Sequence, residues 1–282
     1  MTYFIDKISR NEDVLQGDVF KVVNSDNELF TQDETLALII TADCDIANNK
    51  MGNYYSVLPI ISAEKYLAHY WVAGFFSKEY KKILDSLLLQ LNKSGEICEG
   101  KYDPLTDETL DQWLNEESLI NIVESLNLRD NFKSLEEVDE KLGIIKNVKD
   151  INCFIKYKRF CGSKDKTILK DIASALKSCG EQYYFLPQID LNNSFGSIIK
   201  LREIRPVHKK QLFLDETSER LSSSPTNNVI RIGRLSDYLR YSISQCFALL
   251  FSRIGLPTEF EKDKNDSIEV ISQNIMEKYN DV

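Results

Sequence analysis

Asp43-Cys44-Asp45 closes the apolar run Leu36-Ala37-Leu38-Ile39-Ile40-Thr41. Two carboxylates around a thiol at the mouth of a core strand put hard oxygen ligands and a nucleophile side by side. In an extended backbone Asp43 and Asp45 project to one face and Cys44 to the other. If the strand that follows Gly17 pairs with this run, Asp18 joins them. Three converging carboxylates can hold Mg2+ or Ca2+, the basis of a metal-dependent nuclease or phosphotransferase. The plainer alternative is that these aspartates end strands and satisfy turn amides. A Cys44 thiolate between two carboxylates is destabilised, so the thiol is a poor nucleophile.

A second group of residues suits a phosphate backbone. Lys156, Lys158 and Arg159 interleave with Tyr157 and Phe160, and Lys200, Arg202, Arg205, Lys209 and Lys210 follow in one short stretch. On a strand, Lys200 and Arg202 share a face. Residues 151–240 hold sixteen basic against nine acidic side chains. A solvated outer sheet face explains the pattern as well as nucleic-acid binding does.

Strands must position both groups. Val14–Val23 contains the Gly17-Asp18 step, suited to a bulge. Leu36–Thr41 reads as a buried strand, and Tyr54–Ile60 as a third strand whose Pro59 favours an edge or an end. Helical spacing then runs from Ala63 to about Lys93, and again through Asp107–Leu114, Ser118–Leu126 and Ser134–Leu142. Ser134 with Glu137 fits a capping box. Strand character returns at Ile151–Tyr157, a helix spans Asp165–Leu176 up to Gly180, and strands follow at Gln182–Pro187 and Gly196–Arg205. Asp190–Ser194 has turn chemistry, and Ser222–Asn228 reads as a loop. Leu235, Leu239, Ile243, Cys246, Phe247, Leu250 and Ile254 form one helical stripe, started by Ser236 and ended by Arg253, Gly255 and Pro257. A charged tail follows from Lys262.

The 282 residues, 43% hydrophobic and 28% charged, suit a folded globular protein. The first residues lack a basic segment before an apolar core, and no apolar run approaches the ~20 residues of a membrane span, so a cytoplasmic protein without membrane contact is expected. None of the six cysteines forms a Cys-x-x-Cys pair, and His69 and His208 each stand alone. Reduced buried thiols are the expectation. Charge is segregated: residues 1–150 hold 15 Lys/Arg against 28 Asp/Glu, while residues 151–282 hold 20 against 16. Within 96–140 only Lys101, Arg129 and Lys133 stand against fourteen acidic residues. Such a lobe is either a solvated face or a docking surface for another protein.

Gly17-Asp18-Val19, Leu36–Thr41 and Val57-Leu58-Pro59-Ile60 together resemble the opening of the MazF/PemK growth-inhibitor toxins. That resemblance covers about a fifth of the chain and implies an SH3-like barrel. It also implies a metal-free ribonuclease using an Arg before the apolar strand and a Thr after the Pro-Ile position. Here those places hold Asp33-Glu34-Thr35 and Ile61-Ser62, and the acidic pair repels phosphate. The closing pattern from Arg231 to Pro257 is similar to uncharacterised bacterial proteins that share the Asp-Cys-Asp strand end.

The expected fold is α+β: a small SH3-like barrel core from 1–62 plus 151–232, a long acidic helical insertion at 63–150, and a C-terminal packing helix within 233–282. The expected function is a non-catalytic bacterial interaction module, an accessory of a toxin–antitoxin or phage-defence system as the resemblance implies. It needs no cofactor and meets a partner protein through 96–140. The alternatives are a nuclease, MazF-like or using Mg2+ on Asp18, Asp43 and Asp45, and a nucleic-acid binder without cleavage.

Overall fold

The computed structural model describes residues 5–6, 8–9, 11–23, 28–93, 103–126, 128, 134–147, 150–187, 196–222, 226–252, 259, 262–264 and 266–271. The Asp190–Ser194 turn, the helix end at Arg253–Pro257, parts of the 96–140 segment and most of the tail lie outside them. No described helix is long and apolar enough to cross a membrane.

The described chain is mixed α+β around one curled, half-barrel sheet. Its strands are β1 (Ile5–Asp6), β2 (Asp18–Val22), β3 (Glu34–Ile39), β4 (Tyr54–Ser62), β5 (Tyr183–Leu186), β6 (Ser197–Lys200), β7 (Arg205–His208), β8 (Leu212–Phe213) and β9 (Val229–Leu235). The order is β1-β9-β2-β3-β4-β6-β5, with β7 also on β4 and β8 also on β9. All pairings are antiparallel except β8 on β9. Front and rear segments therefore share the sheet: Val19 lies opposite Gly233, and Ile60 opposite Ile199.

The strand alternation explains the apolar run. Leu38 points with Val19, Leu58, Ile60 and Ile199 into one core, while Ala37 and Ile39 point with Phe20, Val57 and Val207 into another. Both faces of β3 are covered, so its residues need no polar side. Ile39 and Ile199 thus lie on opposite faces of one continuous sheet.

Pro59 departs from the edge expectation. β4 is central: it pairs with β3 along one side, and with β7 through Tyr54–Val57 and β6 through Ile60–Ser62 along the other. Pro59 sits where that second partner changes, the one stretch where a missing N–H costs no ladder bond.

The helices are α1 (Asp43–Ala47), α2 (Ala63–Tyr66), α3 (Val72–Asn92), α4 (Asp107–Glu116), α5 (Leu119–Ser125), α6 (Leu135–Lys146), α7 (Ile151–Phe160), α8 (Asp165–Lys177), α9 (Glu216–Arg220) and α10 (Asp237–Ser252). A π turn at Leu67–Trp71 joins α2 to α3 through right-handed backbone. Leu84, Leu87 and Leu91 of α3 pack on Leu110 and Leu114 of α4, Ile122 and Val123 of α5, and Leu142 of α6. Tyr66, Leu67 and Ala175 pack on Ile61 and Ile198 and join the helical layer to the sheet. Leu239, Ile243 and Leu250 of α10 cover the sheet's other core, as the stripe predicts.

Ile151–Tyr157 is helical, against the strand expectation. Asp150 caps it by accepting from the Asn152 and Cys153 amides, and Phe154 and Tyr157 bury one helical face. The sheet resumes only at Tyr183. The expected strand Gly196–Arg205 is two strands, β6 and β7, broken by a turn at Leu201–Ile204. Ser134 adopts a left-handed φ of 64° and caps nothing with its side chain, so no capping box forms there. The Ser236 hydroxyl has no hydrogen-bond partner, although its carbonyl accepts from the Arg240 amide.

Candidate functional site

The structure separates the three aspartates. Asp18 opens β2 fully buried and accepts from Arg231, Arg234 and the Leu15 amide. Asp43 lies in α1, not on an extended strand, so it and Asp45 no longer share a face. The Asp43 carboxylate accepts from the Gln16 amide at 2.7 Å and from Arg240 at 3.1 Å. Asp45 accepts weakly from the Cys44 thiol at 3.7 Å, and Cys44 is exposed. Among the described residues no group of three or more His, Cys, Asp or Glu side chains is placed to hold a metal ion.

The basic residues do not form one face either. Lys156, Lys158 and Arg159 lie on α7, where Lys158 pairs with Asp171 and Arg159 with Asp165. Lys200 points into the protein, with a side chain 4% exposed, while Arg202 is exposed in the turn beyond it. The shared strand face is absent because β6 ends at Lys200. Arg205 pairs with Glu34 and Glu203, and Lys209 donates to Asn49. Lys210 is exposed.

Folding builds a different cluster where β3, β4 and β6 meet α2. Glu34 is buried against Lys200 at 2.7 Å, and Glu203 and Arg205 extend the pair into a four-membered network. Burial alone pushes the Glu34 carboxyl up, but hydrogen bonds from Lys200 and the Thr31 amide, with the charges of Lys200 and Arg205, hold it below its ordinary value. Burial alone lowers the Lys200 ammonium; its hydrogen bonds to Glu203, Glu34 and Tyr70 raise it overall. The ammonium also sits 5.1 Å from the Tyr70 ring centre.

Beside this network Asp33 accepts from Lys65 at 2.9 Å and from His69 Nδ1 at 2.7 Å. Burial pushes the Asp33 carboxyl up, and the hydrogen bonds and charges of Lys65 and His69 outweigh it to leave the value lowered. Next to them a cavity of ≈ 240 Å³ is lined in part by Gln32, Thr35, Ser62, Glu64, Lys65 and Ser197. Two backbone irregularities converge here, a register shift between Glu34 and Leu36 and the π turn that carries His69. The arrangement sets polar side chains around a cavity with room for a small polar group. Sequence reading missed it because Asp33 lies far from the helix it meets. The available signal was local: Ser62, Lys65 and His69 fall at i, i+3 and i+7, one face of a helix.

The acidic lobe is the third candidate. The described residues between 103 and 140 hold eleven Asp and Glu and no Lys, Arg or His. Asp111 accepts from the Tyr80 hydroxyl and Asp139 from the Leu119 amide, so both serve the fold. Asp107, Glu108, Glu116, Glu117, Glu124, Glu136, Glu137 and Glu140 are all exposed on α4, α5, α6 and the turns that end them. Leucines hold the helices from beneath, so the carboxylates project from a fixed scaffold.

No protein-family model matches this chain, and neither the curated proteins nor the solved structures provide a match.

Proposed function

We propose that the chain is a non-catalytic cytoplasmic interaction module that docks a basic partner protein on its acidic helical lobe. One observation carries this: the exposed carboxylates of α4, α5 and the start of α6 stand on a packed scaffold with no basic side chain among the described residues from 103 to 140, and Lys141, next along α6, pairs with Glu137 alone at 2.6 Å. A fixed field of one sign steers a partner of the opposite sign and sets its orientation. The core as an SH3-like barrel, and an accessory role in a toxin–antitoxin or phage-defence system, belong to the same proposal. Their support is the antiparallel β2-β3-β4 succession that begins at Gly17-Asp18 and the resemblance to the MazF/PemK opening.

The nuclease and nucleic-acid alternatives draw less support from the geometry. Asp18 and Asp43 are engaged by arginines, and Lys158, Arg159, Lys200 and Arg205 by carboxylates. The test is binding of decalysine to the full chain. Retention should fall steeply with salt and weaken in Glu108→Gln/Glu124→Gln/Glu137→Gln/Glu140→Gln. A variant that keeps full affinity, or a chain that ignores decalysine, overturns the docking assignment.

A further inference from the structure

We propose that the cavity where β3, β4, β6 and α2 meet binds a neutral polyhydroxylated molecule the size of a monosaccharide, held by Gln32, Thr35, Ser62 and Ser197. The site stands apart from the acidic lobe and does not depend on the docking role proposed above.

Ser197 carries the proposal. It opens β6 and is only 8% exposed, yet its hydroxyl finds no hydrogen-bond partner among the described residues. A hydroxyl sealed in without a partner costs about 1–3 kcal/mol. This one is not sealed in, because Ser197 lines the cavity of ≈ 240 Å³. Its donor and its acceptor are both free for whatever occupies that space.

The fold sets three more neutral groups around the same cavity. Ser62 lies opposite Ser197 in the β4–β6 register, so the two side chains share a face of the sheet. The Ser62 hydroxyl accepts from the Lys65 amide at 3.2 Å as α2 begins, which leaves its own proton to donate. Thr35 is the residue that the register shift between Glu34 and Leu36 leaves out of the ladder. Neither its hydroxyl nor the Gln32 side-chain amide bonds another described residue.

Charge decides the ligand class. Asp33 is paired with Lys65 and His69. Glu64 is an exposed carboxylate on the same cavity and repels an anion, while the Lys65 ammonium repels a cation. A neutral ligand remains, and it must match hydroxyls and an amide that each donate and accept. Alcohol groups do so at every contact. Volume sets the size: pockets for drug-sized ligands run to roughly 300–1,000 Å³, so this smaller one suits a single sugar ring.

Saturation-transfer NMR titration of the full chain with D-glucose and D-ribose tests this. D-glucuronate, D-glucosamine and penta-O-methyl glucose serve as the anionic, cationic and donor-free counterparts. The expected result is saturable binding of at least one neutral sugar and none of penta-O-methyl glucose. Ser197→Ala and Thr35→Val should each weaken that sugar about fivefold. Ser197→Ala should keep the thermal midpoint of the unmodified chain, since its hydroxyl bonds nothing in the protein. Unchanged affinity in Ser197→Ala and Thr35→Val, or tighter binding of glucuronate or glucosamine than of the neutral sugar, overturns the site. No binding of either neutral sugar also overturns it, and decalysine binding measured on the same samples then judges the docking role separately.

Discussion

Glu34 and Lys200 meet at 2.7 Å inside the sheet, with side chains 0% and 4% exposed, one from the front of the chain and one from the rear. The pair joins the first residue of β3 to the last of β6, so it fixes the register of both ends of the chain around β4. Removing Glu34 takes one of two carboxylates from Lys200, which keeps Glu203 at 2.7 Å. Glu34→Ala should therefore cost about 1–3 kcal/mol in urea unfolding, while Glu34→Leu/Lys200→Met recovers most of it. A loss below ~1 kcal/mol in the single variant would show that water reaches the site.

Acid stability should carry the mark of the same residue. Folding holds the Glu34 carboxyl below its ordinary 4.5. A lowered value means the contribution is complete above that pH and disappears as pH falls through the folded value. Asp33, also lowered, acts in the same direction from an ordinary 3.8. Stability curves of Asp33→Asn between pH 6 and pH 2 should be flatter than those of the unmodified chain. Parallel curves would count against the His69 and Lys65 hydrogen bonds as the cause.

Gly17 and Arg240 form a close contact that should be sensitive to a single methyl. Gly17 has a φ of +91°, and a Cβ there would lie 2.7 Å from Arg240 Cδ. Arg240 in turn donates to the Gln16 carbonyl, Asp43 and Asp237. Gly17→Ala should lose more than about 1 kcal/mol, combining backbone strain with displacement of the arginine. Thermal unfolding measures it, and an unchanged midpoint would mean that α10 shifts freely against β2.

Asp43→Ala should behave as a structural variant. It removes one acceptor from Arg240 and one cap from the Gln16 amide, a loss of about 1 kcal/mol, without altering the binding of decalysine. Asp45→Ala should change neither property. Loss of decalysine binding in Asp43→Ala would move the docking surface to the mouth of β3.

Much of the fold was legible because period and punctuation agree. Leu36–Ile39, the α10 stripe and the helices of the acidic lobe announce themselves by spacing. Ile151–Tyr157 misled because β-branched and aromatic residues outweighed the cap at Asp150, the one residue that marks a helix start there. Gly196–Arg205 misled because nothing in its composition shows that Lys200 turns inward to Glu34. Contacts between residues distant in sequence were the hidden part: Asp33 with His69, and Asp18 with Arg231 and Arg234. Sequence placed carboxylates at strand ends correctly at Asp18, but their arginine partners come from the last strand and its exit.

Mixing labelled decalysine and a labelled single-stranded RNA 20-mer with the full chain, across rising salt and with or without Mg2+, most directly challenges docking on the acidic lobe. Decalysine should bind and be released as salt rises, while the RNA remains free and uncut. Retention or cleavage of the RNA with decalysine left unbound would contradict it.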